Sequence, residues 1–212
     1  MTDSPRTALI FAGGRATRLG GVNKALLDVG GKPIIARVLH ALGPLARERV
    51  LLTNDATLHT LEDVRLVYDA LPHAGVLPAL ASGLAEASGD VCLAVACDMP
   101  FVSRRLFEQL LDLQSSTGAD VVIPRMLGLL EPMHAVYRTR TVRHAIEKAL
   151  ERGERRMVSY FQDVQVRQVD ELEWRSSDPR GLAFFNVNTP EDLAEARRVA
   201  ESETDDQVSG QG

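Results

Sequence analysis

The sequence lacks most of the features that would set it apart from an ordinary folded domain. It holds only two cysteines in 212 residues. Cys92 and Cys97 lie five apart in one apolar run, so a strand would point them to opposite faces. That suits neither a disulfide nor a metal pair, and buried thiols in a reducing cytoplasm are expected. No apolar stretch approaches the ~20 residues needed to span a bilayer. The polar start Met1-Thr2-Asp3-Ser4-Pro5-Arg6, followed by a short apolar run, does not read as a secretory signal. There is no internal repeat. An excess of base is missing too: the formal net charge is −5, which argues against an extended nucleic-acid partner. No Ser/His or Cys/His arrangement for covalent catalysis is evident.

The charge that is present is unevenly spread. The first fifty residues carry eight bases against three acids, whereas the tail holds Glu201, Glu203, Asp205 and Asp206 with no base. A cationic head on an acidic chain is suited to one small polyanion. Residues 1–201 are expected to form one domain, and 202–212 a disordered acidic tail without apolar period.

Within the domain, short β runs alternate with helical stretches. Strands are predicted over 8–12, 49–53, 64–68, 90–97, 120–124, 133–137 and 182–187. Helices are predicted over 34–42, with Pro33 suited to its first turn, and over 77–87, 106–113, 139–152 and 190–200. Such spacing implies right-handed crossovers and an α/β fold: a Rossmann-like, mainly parallel sheet with helices on both faces. Ligands in these sheets sit at the carboxyl ends of strands. Chemistry is therefore sought just after each strand.

The first strand runs into Phe11-Ala12-Gly13-Gly14-Arg15-Ala16-Thr17-Arg18-Leu19-Gly20-Gly21-Val22-Asn23-Lys24. Its four glycines let backbone N–H groups approach a phosphate closely, and Arg15, Arg18 and Lys24 add cations. Glycines alone would also fit a surface loop; three cations at a strand end favour phosphate. The two commonest phosphate motifs are absent. The only Gly-Lys pair, Gly31-Lys32, is followed by Pro33 rather than Ser or Thr, and Gly13 and Gly14 are adjacent, which breaks G-x-G-x-x-G.

Asp98 follows an apolar strand and is a hard oxygen donor of the kind Mg²⁺ takes alongside substrate phosphates. Ser103 is placed to cap the next helix, which leaves Asp98 available. Asn54 and Asp69 also follow strands, and each reads equally as a turn former. His134 in a strand is a packed residue or a phosphate contact. Arg155-Arg156 reads as a solvated helix start. Thr189-Pro190-Glu191-Asp192 has the form of a capping box. Asn186 and Asn188, two apart on a predicted strand, would share one face.

In their order along the chain, G-G-x-x-x-R-x-G-G-x-x-K, Gly30-Gly31-Lys32-Pro33 and Cys97-Asp98-Met99-Pro100 resemble nucleotidyltransferases of the sugar-nucleotide pyrophosphorylase type. Within that superfamily the chain is most similar to the molybdenum cofactor guanylyltransferases, from about Leu9 to Leu193. The resemblance implies GMP transfer from GTP to molybdopterin with release of pyrophosphate, in the cytoplasm and with Mg²⁺ on Asp98. It implies catalytic roles for Lys24, Arg18 and Asp98. Nucleotide contacts are implied from Phe11, Ala12, Gly13, Gly14, Lys24, Asn54, Asp69 and Asp98. On the acceptor side it implies His134, Asn186 and Asn188, with the 130–137 and 155–161 segments also matching the family. Contact with cofactor-delivery proteins or molybdoenzymes is a further implication; nucleic-acid and membrane partners are not. The chain departs from the family at Gly75-Val76-Leu77-Pro78-Ala79-Leu80, where the proline has moved and a glycine is Ala79. Cytidylyl or sugar-nucleotidyl transfer, and a nucleotide-binding regulator without turnover, are the alternative readings.

Overall fold

The computed structural model describes residues 5–12, 23–55, 57–58, 61–68 and 75–209, the last segment from 203 as backbone only. Gly13, Gly14, Arg15, Arg18 and Asp69 lie outside the described residues. Eight strands make one sheet: β1 (Arg6–Phe11), β2 (Glu48–Leu52), β3 (Arg65–Val67), β4 (Val91–Ala96), β5 (Val121–Met126), β6 (Leu129–Leu130), β7 (His134–Arg138) and β8 (Val166–Val169). The order is β3-β2-β1-β4-β7-β5-β6, with β8 paired to β5. Parallel pairs join β1 to β2 and β4, β2 to β3, and β5 to β8. Only β7 and β6 run against that direction. The sheet is mainly parallel, as expected.

The helices are α1 (Ile34–Leu42), α2 (Val76–Glu86), α3 (Arg104–Thr117), α4 (Thr139–Glu151), α5 (Glu171–Trp174) and α6 (Pro190–Ser209). Strand alternation divides them between two faces. Ala8, Ile10, Leu93 and Val95 join α1, α3 and α6 in one apolar layer, whereas Leu9, Val50, Cys92 and Ala94 join α2 and α4 in the other. Continuous apolar strands are what a sheet covered on both sides requires. Cys92 and Cys97 are free, buried and in opposite layers. Burial pushes each thiol up to about 12, so neither is a reactive thiolate.

Local chemistry accounts for several details. Gly83 in α2 lies over β1 and β2; a Cβ there would come within 3.1 Å of Leu52 and 3.3 Å of Leu9. Pro78 falls in the first turn of α2, where its missing N–H leaves no bond unmade. The displaced proline is thus accommodated by the helix start. Pro33 is the N-cap of α1 rather than its first helical residue, and its carbonyl accepts from Ala36 and Arg37. Gly30 and Gly31, at φ 64° and 74°, form a tight reversal whose flanks bond from the Val29 N–H to the Lys32 carbonyl at 2.9 Å.

One expectation is corrected. Residues 182–187 are not a strand: Leu182–Phe184 is a 3₁₀ turn that follows Gly181 at φ 68°. Asp178 accepts the N–H groups of Leu182 and Ala183 at 3.3 and 2.8 Å, which satisfies them as a turn start instead of a ladder. Helix α6 is described through Ser209, past the domain boundary expected at 201. The short β6, β8 and α5 were not foreseen. Each has too few residues to show a period, and α5 is set by a capping box between Asp170 and Glu173.

Candidate active site

The chain passes from β1 outward to β2 and β3, then returns to the other side of β1 as β4. That reversal is the switch point of the sheet, the place at the strand ends where ligands bind in open α/β sheets. Its rim is held closely. The Ala12 N–H donates to the Leu52 carbonyl at 2.9 Å, and the Cys97 N–H donates to the Phe11 carbonyl at 3.0 Å. Phe11 and Ala12 therefore sit between the ends of β2 and β4, where a nucleotide would meet backbone.

Three predicted residues converge at this rim. Lys24 Nζ donates to Asp98 Oδ2 at 3.0 Å and to Asn188 Oδ1 at 2.5 Å. The Lys24 and Asp98 side chains are 17% and 20% exposed, open enough to meet a ligand but sheltered enough for the pair to hold its geometry. Each arrives by a separate route. Asn23 caps a 3₁₀ turn at Lys24–Leu26 by accepting the Ala25 N–H at 2.9 Å, which orients Lys24. Asp98 begins the turn after β4, and Ser103 caps α3 through the Leu106 N–H, so Asp98 is not used as a cap. Asn188 is brought in by the capping box of α6. The Asp192 carboxylate accepts from the N–H groups of Asn188 and Thr189 at 2.9 and 2.8 Å, and the Asp192 N–H returns to Thr189 Oγ1 at 3.1 Å. The Asn188 N–H, with those Thr189 bonds and the Lys24 charge, holds the Asp192 carboxyl below its usual range against the pull of desolvation.

Other predicted residues lie elsewhere. Asn54 is exposed on the bend after β2. Asn186 donates to the Phe184 carbonyl at 3.1 Å, whereas Asn188 accepts from Lys24. His134 is corrected outright: it is fully buried, stacked on Phe107 at 4.5 Å between centroids and set against Phe184 at 5.1 Å. Neither ring nitrogen makes a well-formed hydrogen bond among the described residues. Burial pushes the imidazole down to about 3, against the opposing influence of the Ala183 backbone. A neutral ring inside an aromatic cluster touches no acceptor. Arg155 and Arg156 are exposed.

The segments around these last residues do meet. Leu130 and Pro132 face Met157, Val158 and Phe161 across a groove of about 630 Å³. Arg125 and Gln168 add polar groups to its lining. It lies at the carboxyl end of β5, on the same edge of the sheet as Lys24 and Asp98.

Sequence reasoning passed over several supports of this site. Thr53, buried at the end of β2, and Asp55 bind the rim together, and Asp192 aims Asn188. Arg37 links three segments: it donates to Pro100 at 2.9 Å and Val29 at 3.2 Å and lies over the Phe101 ring at 5.3 Å. Only a buried hydroxyl beside a strand end hinted at Thr53. Asp192 belongs to the capping box already read in the sequence, whereas Asp55 and Arg37 depend on contacts far apart in sequence.

Residues 8–169 match the model of the MobA-like NTP transferase domain. The chain belongs to that family. MobA-like transferases are nucleotidyltransferases, and this chain is an enzyme of that class; such enzymes generally use a divalent metal. A molybdenum cofactor guanylyltransferase from Pseudomonas putida is 37% identical over 193 residues, covering 89% of this chain and 96% of its own. The crystal structure of molybdopterin-guanine dinucleotide biosynthesis protein A from Archaeoglobus fulgidus superposes with a TM-score of 0.77 at 25% identity, covering 92% of this chain and 99% of that one. The 2-C-methyl-D-erythritol 4-phosphate cytidylyltransferase of Thermus thermophilus shares the fold, at 21% identity and a TM-score of 0.69 over 93% of this chain and 99% of its own. No described helix is long and apolar enough to cross a membrane.

Proposed function

We propose that this MobA-like transferase moves GMP from GTP to molybdopterin, releasing pyrophosphate and forming molybdopterin guanine dinucleotide. The observation that carries the reading is Lys24 held at once by Asp98 and Asn188 at the switch point, in a chain whose relatives are guanylyltransferases by name.

The acceptor's terminal phosphate is an adequate nucleophile near neutral pH, so the residues need to position it and neutralise charge rather than activate a side chain. The backbone at Phe11 and Ala12 seats the nucleotide, with Gly13, Gly14 and Arg18 following in the chain. Asn54 and Asp69, at their strand ends, are assigned to the nucleoside. Lys24 balances the negative charge that grows on the α-phosphate and the leaving pyrophosphate. The donor set suits a hard cation: a carboxylate and an amide oxygen that already hold the Lys24 ammonium as a stand-in. Asp98, with Asn188, would hold Mg²⁺, which when bound supplies Lewis-acid polarisation of phosphate oxygens. The groove between Leu130 and Phe161 is assigned to the pterin of the acceptor. The buried free thiols and phosphorylated substrates support a cytoplasmic setting. Onward contact with a delivery protein or molybdoenzyme belongs to the same reading.

The test is pyrophosphate release with Mg²⁺, molybdopterin and each of GTP, CTP, ATP and UTP, alongside thermal shifts with the same nucleotides. Turnover and stabilisation with GTP are expected. Turnover with CTP alone would replace the donor, and binding without pyrophosphate release would overturn the enzyme reading.

A further inference from the structure

The residue before Lys24 is held by a carboxylate from the turn after β2. Just past β2, Thr53 is 2% exposed, and its hydroxyl donates to the Ala12 carbonyl at 3.2 Å while accepting the Asp55 N–H at 3.0 Å. Asp55 Oδ2 accepts from Asn23 Nδ2 at 2.8 Å, and its Oδ1 accepts from the Thr57 N–H at 2.9 Å and the Thr57 hydroxyl at 2.7 Å. One short turn thus holds Ala12, the last described residue after β1, and Asn23, the residue before Lys24. Asn23 in turn caps the 3₁₀ turn that Lys24 begins.

The bond pattern is directional. Asn23 has one amide with two jobs: its oxygen accepts the Ala25 N–H, and its nitrogen must then find an acceptor. Asp55 supplies that acceptor with full charge, so the amide has one orientation and cannot flip without losing both bonds. The orientation matters because Lys24 Nζ must reach two oxygens, on Asp98 and Asn188, that come from distant parts of the chain. Ala25, the next residue, is fully buried, so the turn is anchored on its other side too.

We propose that Asp55 is a positioning residue for the transfer reaction: through Asn23 it sets the 3₁₀ turn that aims Lys24 at the phosphates. The inference rests on the reading that Lys24 meets the nucleotide. Among the described residues Asp55 makes its side-chain bonds to Asn23 and Thr57 and not to Lys24, so its removal is expected to act through the lysine's placement. The effect falls on kcat more than on KM for the nucleotide.

The decisive measurement is a cycle of variants followed by pyrophosphate release and by thermal unfolding. Asp55→Ala is expected to lower kcat about tenfold or more, the scale for losing a hydrogen bond to a charged group, with a smaller change in KM. In a Lys24→Ala background the same substitution is expected to leave the remaining rate unchanged, because nothing is left to aim. The exchange Asn23→Asp with Asp55→Asn restores the bond with donor and acceptor reversed, and keeps an oxygen to cap Ala25. It is expected to recover most of the rate and melting temperature. Equal losses in both backgrounds, or no recovery in the exchanged pair, would overturn the positioning role. If Asp55→Ala fails to fold, the exchanged pair decides alone. Failure of the wild-type enzyme to turn over any nucleotide would instead reject the proposed function.

Discussion

The Val187 N–H donates to the Asp98 carbonyl at 2.9 Å. This bond ties the stretch before α6 to the turn after β4, and so sets Asn188 next to the carboxylate that Lys24 also meets. The site is an agreement between three distant segments: two are joined at backbone level, and Lys24 reaches both through its side chain.

Loss of either charged partner is expected to abolish most turnover while the fold persists. Lys24→Ala or Asp98→Ala should lower kcat by about 10²–10³, the scale for removing a charge-stabilising group from a transition state. Both side chains sit at the rim and not in the core, so melting should move by no more than about 4 °C. Steady-state pyrophosphate release and thermal unfolding check this; near wild-type turnover would remove the residue from the chemistry.

Asp192 is expected to matter twice. Asp192→Ala removes the acceptor for two N–H groups at the start of α6, at a cost of about 1–2 kcal/mol in stability. It also frees Asn188, so turnover should fall even below the melting transition. Denaturant unfolding and kinetics on one preparation separate the two effects. Asp192→Asn, which keeps one acceptor oxygen, should lie between wild type and Asp192→Ala in both.

His134→Phe tests the correction made above. The imidazole packs as an aromatic ring while two nitrogens lack good partners, so phenylalanine should stabilise the fold by about 1 kcal/mol and spare activity. The sign of the pH effect follows from its titration. Folding depresses the ring from 6.5 to about 3, so the unfolded chain binds the proton more readily in that window. Stability should fall as pH drops below about 6.5 in wild type, and less steeply in His134→Phe. Urea unfolding at pH 7 and pH 4.5 measures the difference. Lost activity in the variant would return His134 to the site.

A second acid-sensitive contact lies far from the site. Glu48 on β2 accepts from Thr7, Ser88 and Arg65, and although burial alone would raise it, these bonds hold it at about 2. Its stabilisation is full above the ordinary 4.5 and is lost as pH falls toward 2. Because the carboxylate is partly exposed, Glu48→Gln should cost only about 1–2 kcal/mol at pH 7. The variant should show a flatter acid limb between pH 4.5 and 2, read by circular dichroism.

Most of the architecture was legible because apolar runs and helical periods are local signals. Helix α1 begins and ends where the pattern places it, and β1, β2 and β4 differ from expectation only at their edges. The capping box at Thr189 and Asp192 was readable from four consecutive residues. The same local reasoning failed at 182–187, where an apolar run resembles a strand but Asp178 takes the N–H groups. At His134 local reasoning offered packing beside phosphate contact, and the enclosing Phe107 and Phe184 rings, which no neighbour in the chain reveals, are what the packed reading needs.

The amino-acid order alone determined the α/β class, and it marked the strand ends, with Lys24 and Asp98 among them, as the places to look for chemistry. Those follow from periodicity and from residue type at short range. Tertiary structure decided which polar groups share a space: Asn188 with Lys24 but Asn186 with Phe184, Asp55 with Asn23, His134 with an aromatic cluster. Each of those choices is a hydrogen bond or ring contact across the fold, and its partner is set by the packing of the sheet and not by neighbours in the chain.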